Sequence, residues 1–264
     1  MTKQERHKLI LENLELRGRI HVAELASVLD VSAVTMRKDL SELEEDGKLY
    51  RSHGFAVKVN PYTINRSVIE KENLMPGQKK QIGIAATRLV SREDTLILAS
   101  GTTIHAFARE LSKVNGITAV CASLQASEIL SQNNGIEVIQ LGGSLRRSSQ
   151  SVVGEYAKHM FESCNCSKLF LGVDGIDVEY GITTTNLREA ELNRVMIQAA
   201  QKVIVLADSS KFNKRGFSKI ADIDEIDLVI TDDGIAPHLA RQLEERGLDL
   251  IIVGANGSVA STQE

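Results

Sequence analysis

The sequence has little cysteine and no long apolar run, and each lack removes a class of protein. Cys121, Cys164 and Cys166 are its three cysteines. They are too few, and odd in number, for a disulfide framework. Cys164 and Cys166 form a C-x-C with no second pair at zinc-finger spacing, so reduced thiols and no bound metal are expected. No apolar stretch reaches the roughly 18 residues that a membrane-crossing helix needs. The opening MTKQERHKLI is charged and lacks the apolar core of a secretory leader, so a cytoplasmic location is expected. Internal repeats and low-complexity tracts are missing as well. So is an excess of positive charge: 31 Lys and Arg stand against 35 Asp and Glu, a net charge of −4. That speaks only mildly against nucleic acid, because a DNA reader needs a basic face and not a basic total.

What is present suits two domains. A chain of 264 residues is long for one, 42% apolar content can fill a sizeable core, and 25% charged residues is ordinary. From Thr2 to Leu16, Leu9, Ile10, Leu14 and Leu16 recur at roughly helical spacing. Arg17-Gly18-Arg19 breaks that helix. A second helix is expected over Val22–Leu29, with Val22, Leu25, Ala26 and Leu29 on one face. Asp30-Val31-Ser32 interrupts again. Ser32 is a good N-cap for a third helix from Ala33 to about Glu45, with Val34, Leu40 and Leu43 as its buried stripe. Lys48–Ser52 and Phe55–Val59 then read as a hairpin.

Three helices followed by a hairpin make a winged helix-turn-helix. The tight turn projects the start of the third helix, Ser32 to Leu40, into a major groove. Ser32 and Thr35 can bond phosphates or base edges. Arg37 can bridge guanine O6 and N7, and Lys38 suits a phosphate. Met36 can touch a thymine methyl or pack inward. Arg51 and His53 in the hairpin would lie along the DNA backbone. Glu42, Glu44, Glu45 and Asp46 must face away from DNA. An isolated Arg-Lys pair is more often a solvated helix face, and the surrounding pattern is what changes that. Arg6, Ile10, Leu14, Ser32, Thr35 to Leu40, and Gly47 to Gly54 resemble the helix-turn-helix and wing of the DeoR family. Phe55 departs from that family, whose members usually carry a second glycine there. Asp39 is expected to be structural, orienting a nearby Arg or Lys.

Residues 58–79 contain Pro61 and Pro76 and are expected to form a linker, with one short helix or strand in it, between a DNA-binding domain over 1–57 and a second domain over 80–255. Residues 256–264 are expected to be a flexible tail. Within the second domain, apolar runs of strand length alternate with amphipathic helices, from Thr95–Ala99 through to Leu250–Val253. Continuous apolar strands between helices imply an α/β fold with a mostly parallel sheet covered on both faces.

Ser100-Gly101-Thr102-Thr103 lies where a predicted strand meets a predicted helix, a corner suited to an anion. Many α/β loops are as rich in Ser and Thr, so the tetrapeptide is weak by itself. Asp174-Gly175-Ile176-Asp177 and Asp208-Ser209-Ser210-Lys211-Phe212 also follow strands. The carboxyl ends of parallel strands share one edge, so Ser100 to Thr103, Asp174 and Lys211 should converge. Phosphate would take the N–H groups and Lys211, and carboxylates would accept from sugar hydroxyls. Thr183 to Asn186, Thr184 included, and Glu189 could complete the polyol shell. Asp177 suits a surface turn.

These stretches, with Gly142-Gly143-Ser144-Leu145-Arg146 and Leu206 to Phe212, resemble the DeoR-family sensor domain, which is similar in fold to ribose-5-phosphate isomerase. The run from Gly142 to Gly154, Arg146 included, resembles members that respond to amino-sugar or hexitol phosphates. Ala122 departs from many members, which carry Asn there. The resemblance implies a DNA-binding repressor of a sugar-utilisation operon, controlled by a phosphorylated sugar, at least dimeric, without a cofactor and not an enzyme. One alternative is a sugar-phosphate isomerase with a DNA-binding appendage, using Asp174, Glu189 and Lys211. Such enzymes carry a Lys-Gly-Gly-Gly run where this chain has Tyr180-Gly181-Ile182-Thr183. Another alternative is a winged helix used only for protein contacts, which the Thr35-to-Lys38 motif disfavours.

Overall fold

The computed structural model describes residues 1–45, 48–52, 54–58, 67–255 and 257–261. The chain divides into two compact units, Met1–Ile64 and Asn65–Glu264.

The first unit opens with α1 (Lys3–Arg17). Its start is fixed by a capping box in which the Glu5 amide donates to the Thr2 hydroxyl and the Thr2 amide donates to the Glu5 carboxylate. A short strand β1 (Arg19–His21) leads into α2 (Val22–Val28) and then α3 (Ala33–Glu45). The Ser32 hydroxyl accepts from the Thr35 amide at 3.1 Å, as an N-cap should. The hairpin β2 (Leu49–Ser52) and β3 (Phe55–Lys58) forms an antiparallel sheet in the order β1-β3-β2. Strand β1 was not expected. It has three residues and one inward side chain, Ile20, too few for alternation to show. The core gathers Ile10 and Leu14 from α1, Leu25 and Leu29 from the α2 region, and Met36, Leu40 and Leu43 from α3. Here the expected stripe needs correction. Val34 is 74% exposed, and Met36 is fully buried in its place. Positions 36, 40 and 43 follow helical spacing, whereas 34 lies about 200° around the helix from 36.

The second unit begins with α4 (Val68–Glu72) and α5 (Pro76–Thr87). The second half of the stretch read as a linker is therefore helical. Pro76 is the first residue of α5, where its missing amide costs nothing. Residues 59–66, Pro61 among them, lie outside the described residues.

There follow β4 (Thr95–Leu98), α6 (Thr102–Leu111), β5 (Ile117–Cys121), α7 (Leu124–Ser131) and β6 (Ile136–Gln140), then a hairpin of β7 (Ser144–Arg146) and β8 (Ser151–Val153). After α8 (Glu155–Met160) come β9 (Lys168–Gly172), β10 (Gly175–Asp177), β11 (Gly181–Thr184), α9 (Leu187–Gln198) and β12 (Val203–Leu206). The chain continues with β13 (Ser218–Ala221), β14 (Leu228–Asp232), α10 (Pro237–Glu245), β15 (Asp249–Val253) and β16 (Val259–Ser261).

The main sheet has the order β16-β15-β14-β12-β9-β4-β5-β6. All its pairings are parallel except β15 with β16. Part of the expected tail is thus an edge strand, while Asn256 and residues 262–264 lie outside the described residues. Alternate residues of β4 serve two cores. Leu96 and Leu98 join Phe107, Leu111 and Phe170 in one, and Ile97 joins Leu192, Met196 and Phe161 in the other. Burial on both faces explains the uninterrupted apolar runs. A separate antiparallel sheet, β10-β11-β13, stands beside the main one. From β4 the sheet grows one way through β5 and β6 and, from β9, the other way through β12, β14 and β15. The switch point therefore lies between β4 and β9, and the crevice at their carboxyl ends is the natural ligand position of such a sheet.

Candidate functional site

Two surfaces carry the residues singled out in the sequence. On α3, Val34, Arg37 and Lys38 are exposed and lie within one helical face, opposite Met36, Leu40 and Leu43. Met36 is corrected from a candidate DNA contact to a core residue. Ser32 and Thr35 sit at the helix start with their hydroxyls 2.9 Å apart, and Thr35 is half-buried. Arg51, on β2, donates from Nε to Glu44 Oε2 at 2.7 Å, and its amide donates to Glu44 Oε1. Glu44 therefore fastens the wing strand to α3. His53 lies outside the described residues. Phe55 meets the His21 ring edge-on at 5.0 Å between centroids and underlies the Arg19 guanidinium. Asp39 accepts from Arg6 Nε and Nη2 at 2.7 and 3.1 Å, tying α3 to α1 as expected of a structural residue. Arg6 holds the Asp39 carboxyl below its ordinary range, against the opposing effect of burial.

The second surface is a cleft at the switch point of the sheet. Nine of the candidates in this unit line it, Ser100, Gly101, Thr102, Thr103, Arg146, Asp174, Thr184, Glu189 and Lys211, whereas Thr183, Thr185 and Asn186 do not. Ser100 and Gly101 follow β4 and lead into α6, and Asp174 follows β9. Gly101 has φ +116°, a conformation that suits glycine, and no side chain caps the start of α6. Across from it, a Cβ on Gly172 would stand 2.8 Å from the Ser100 carbonyl oxygen, so the two loops approach as closely as backbone allows. The positive end of the α6 dipole faces this corner.

Two buried carboxylates also line the cleft, each with a cation. Asp174, 9% exposed, accepts from Lys71 Nζ at 2.6 Å, from the Thr184 and Thr185 hydroxyls at 3.2 Å each and from the Thr185 amide at 3.1 Å. Burial alone would raise its pKa, but Lys71, then Lys211 and the Thr185 amide, hold it below the ordinary carboxylate range. Glu189 accepts from Arg146 and from the Ser151 hydroxyl, each at 3.0 Å. Asn186, suggested for the polyol shell, caps α9 instead, accepting from the Glu189 amide. Asp177 accepts from the Glu179 and Tyr180 amides and pairs with Arg215, as a turn residue does.

Sequence reasoning missed Lys71 and Asn193, and it had the other two polar residues of the cleft, Ser148 and Ser149, only as part of the run from Gly142 to Gly154. Lys71 fell in the expected linker, where nothing marked it. Asn193 had a signal, since it lies one helical turn beyond Glu189 on α9. Beside the cleft, Lys79 is 5% exposed, and its ammonium donates to the Lys71 and Leu74 carbonyl oxygens at 2.7 and 2.5 Å. Burial brings its pKa down to about 8, with Asp208 pulling the other way.

A family model described as the DeoR C-terminal sensor domain matches residues 75–233, and one described as a DeoR-like helix-turn-helix domain matches residues 6–61. The chain belongs to the DeoR family. This DeoR-family regulator is 37% identical over 252 residues to a protein of Escherichia coli O157:H7 named as an aga operon transcriptional repressor. That match covers 95% of this chain and 94% of the relative. It is 32% identical to the HTH-type transcriptional repressor GlcR of Bacillus subtilis (strain 168), over 96% of this chain and 97% of that one. Among solved structures, ribose 5 phosphate isomerase A from Neisseria gonorrhoeae matches 55% of each chain with 19% identity and a TM-score of 0.40. The relatives are named as regulators, and the isomerase alternative gives way to a DNA-binding regulator of transcription.

Proposed function

We propose that this DeoR-family regulator represses a carbohydrate-utilisation operon and that a phosphorylated sugar in the cleft sets its hold on the operator. The observation that carries this is the meeting, in one cleft, of the α6 start, three cationic side chains and two paired carboxylates. The corner at Ser100 to Thr103 suits a phosphate. Asp174, Glu189 and Thr184 suit hydroxyl donors, and Arg146 and Lys211 add positive charge. The names of the relatives, an aga operon transcriptional repressor and the transcriptional repressor GlcR, support the repressor reading. Titration calorimetry with sugar phosphates and the matching free sugars tests the assignment. Binding of a phosphate ester with a change in operator affinity is expected, and equal affinity for the free sugar would reject the anion site. Among the described residues no helix is long and apolar enough to cross a membrane. We place the protein in the cytoplasm, with its DNA.

Base readout is assigned to Arg37 and phosphate contact to Ser32, Thr35, Lys38 and Arg51. Arg37→Ala is expected to weaken operator binding by roughly 1–3 kcal/mol and to relax preference at one base pair. Lys38→Ala should weaken all DNA alike and reduce the slope of log affinity against log salt by about 1. Fluorescence anisotropy on operator and scrambled duplexes at several salt concentrations separates the two. Unchanged specificity in the Arg37 variant would move base readout elsewhere.

One α3 helix reads too few base pairs to single out a site in a genome, so half-sites must be coupled. The protein should therefore be at least a dimer. Multi-angle light scattering at micromolar concentration, alone and with operator DNA, checks this. A monomer in both conditions contradicts it.

A further inference from the structure

Helix α4 is the first element of the second unit among the described residues, and several polar contacts tie it down. Val68 is its buried side chain, while Ile69 is exposed. The Val68 amide donates to the Ser148 carbonyl oxygen at 2.7 Å, Glu72 pairs with Arg109, and Lys71 Nζ donates to Asp174 Oδ1 at 2.6 Å. Lys79 holds the far end of α4 and the turn after it, donating to the Lys71 carbonyl in the helix and to the Leu74 carbonyl just past its end.

Two of those ties open onto the cleft, since Val68, Lys71 and Ser148 line it. The two oxygens of Asp174 are used unequally. Oδ2 takes three donors, the Thr184 hydroxyl and the Thr185 amide and hydroxyl. Oδ1 takes the Lys71 ammonium. A sugar hydroxyl that donates to this carboxylate meets a crowded Oδ2 and must turn to Oδ1, where Lys71 stands.

We propose that Lys71 is a ligand-sensitive tether: a sugar hydroxyl donating to Asp174 Oδ1 displaces the Lys71 ammonium, and α4 loosens. The proposal rests on the cleft being the effector site. The exchange is balanced in charge. The incoming phosphate gives the released ammonium a new anion, and Asp174 keeps its three donors on Oδ2, the field of Lys211 and the new hydroxyl. An effector shifts an equilibrium only through unequal affinity for its two states, and competition for one oxygen atom supplies that inequality. The chain from the DNA-binding unit enters the second unit through α4. Loosening α4 therefore acts on the segment that joins the two units.

The test uses the full chain with no ligand, comparing wild type, Lys71→Met and Lys71→Arg. Hydrogen exchange of amides 68–75 and affinity for the DNA upstream of its own gene are the readouts. In Lys71→Met, α4 exchange should accelerate at least about tenfold. Operator affinity should fall by about 5–150-fold, the usual range of such couplings. Lys71→Arg keeps a cation on Asp174 and should restore both, which separates a lost tether from a damaged fold. Wild-type exchange and operator affinity in Lys71→Met would overturn the proposal. In wild type, millimolar glucose 6-phosphate is the probe and should reproduce the faster α4 exchange. Binding of that probe with α4 exchange unchanged would also overturn it. Failure of the effector reading looks different: glucose 6-phosphate gives no heat of binding, while the ligand-free effect of Lys71→Met persists.

Discussion

Thr102→Asp is expected to abolish the response to the sugar phosphate while the protein still binds its operator. Thr102 is the first residue of α6, is nearly buried, and lines the cleft at the corner assigned to the phosphate. An aspartate there puts a carboxylate where the phosphate should sit. Two like charges about 4 Å apart repel by about 4 kcal/mol at the effective dielectric of about 20 typical of protein surfaces, close to a thousandfold in affinity. The fold should tolerate the change, because a carboxylate in the first helical turn meets the positive end of the dipole and stabilises by roughly 0.3–1 kcal/mol. Thermal shift is the direct measurement. Wild type at a ligand concentration 100 times its Kd should gain about 2.7 kcal/mol, and the variant should gain nothing. Operator binding without ligand should match wild type. A variant that still responds at the same concentration would show that the phosphate site lies elsewhere.

The sheet and its helices were legible because they obey simple periodicities. Thr95–Leu98 reads as a buried strand since Leu96 and Leu98 serve one core and Ile97 the other, leaving no polar alternation to misread. Helix α3 was legible down to its Ser32 cap. The small antiparallel pieces β10, β11 and β13 were not. Gly175–Asp177 and Gly181–Thr184 are too short and polar to announce themselves, and they are strands because they pair with each other and with Ser218–Ala221. Helix α5 was hidden by Pro76 and the polar run from Gln78 to Gln81, within which Lys79 is buried with its ammonium on the Lys71 and Leu74 carbonyls.

The cleft followed a similar division. Loops after parallel strands must share an edge, so Ser100 to Thr103, Asp174 and Lys211 could be brought together from the chain alone. What could not be read is which cation answers which carboxylate. Lys71 reaches Asp174 across 103 positions of sequence, and Arg146 reaches Glu189 across 43. Those pairings depend on the placement of α4 and of the β7–β8 hairpin, neither of which carries a periodic signal.

The clearest reversal, Val34 against Met36, yields the other large effect. Met36→Ala is expected to destabilise the DNA-binding unit, and Val34→Ala to leave its stability alone. Met36 is fully buried among Leu40, Leu43, Ile10 and Leu25. Truncating a buried methionine costs about 2–5 kcal/mol, through lost transfer energy and the cavity left behind. A unit of this size shifts its midpoint by roughly 4–8 °C per kcal/mol, so a drop of at least about 8 °C is expected. Hydrogen exchange in the full chain should show the change in residues 3–45 and none in 95–253. The Met36 variant should still prefer its operator over scrambled DNA wherever the unit stays folded. Val34 is 74% exposed beside Arg37 and Lys38, and an exposed surface change usually stays within about 0.5 kcal/mol. Its isopropyl group suits the 5-methyl of a thymine, which the major groove alone displays. Replacing operator thymines by uracil one at a time should weaken wild type at one position and leave Val34→Ala indifferent there. Unchanged stability in Met36→Ala together with lost operator preference would return Met36 to the DNA face.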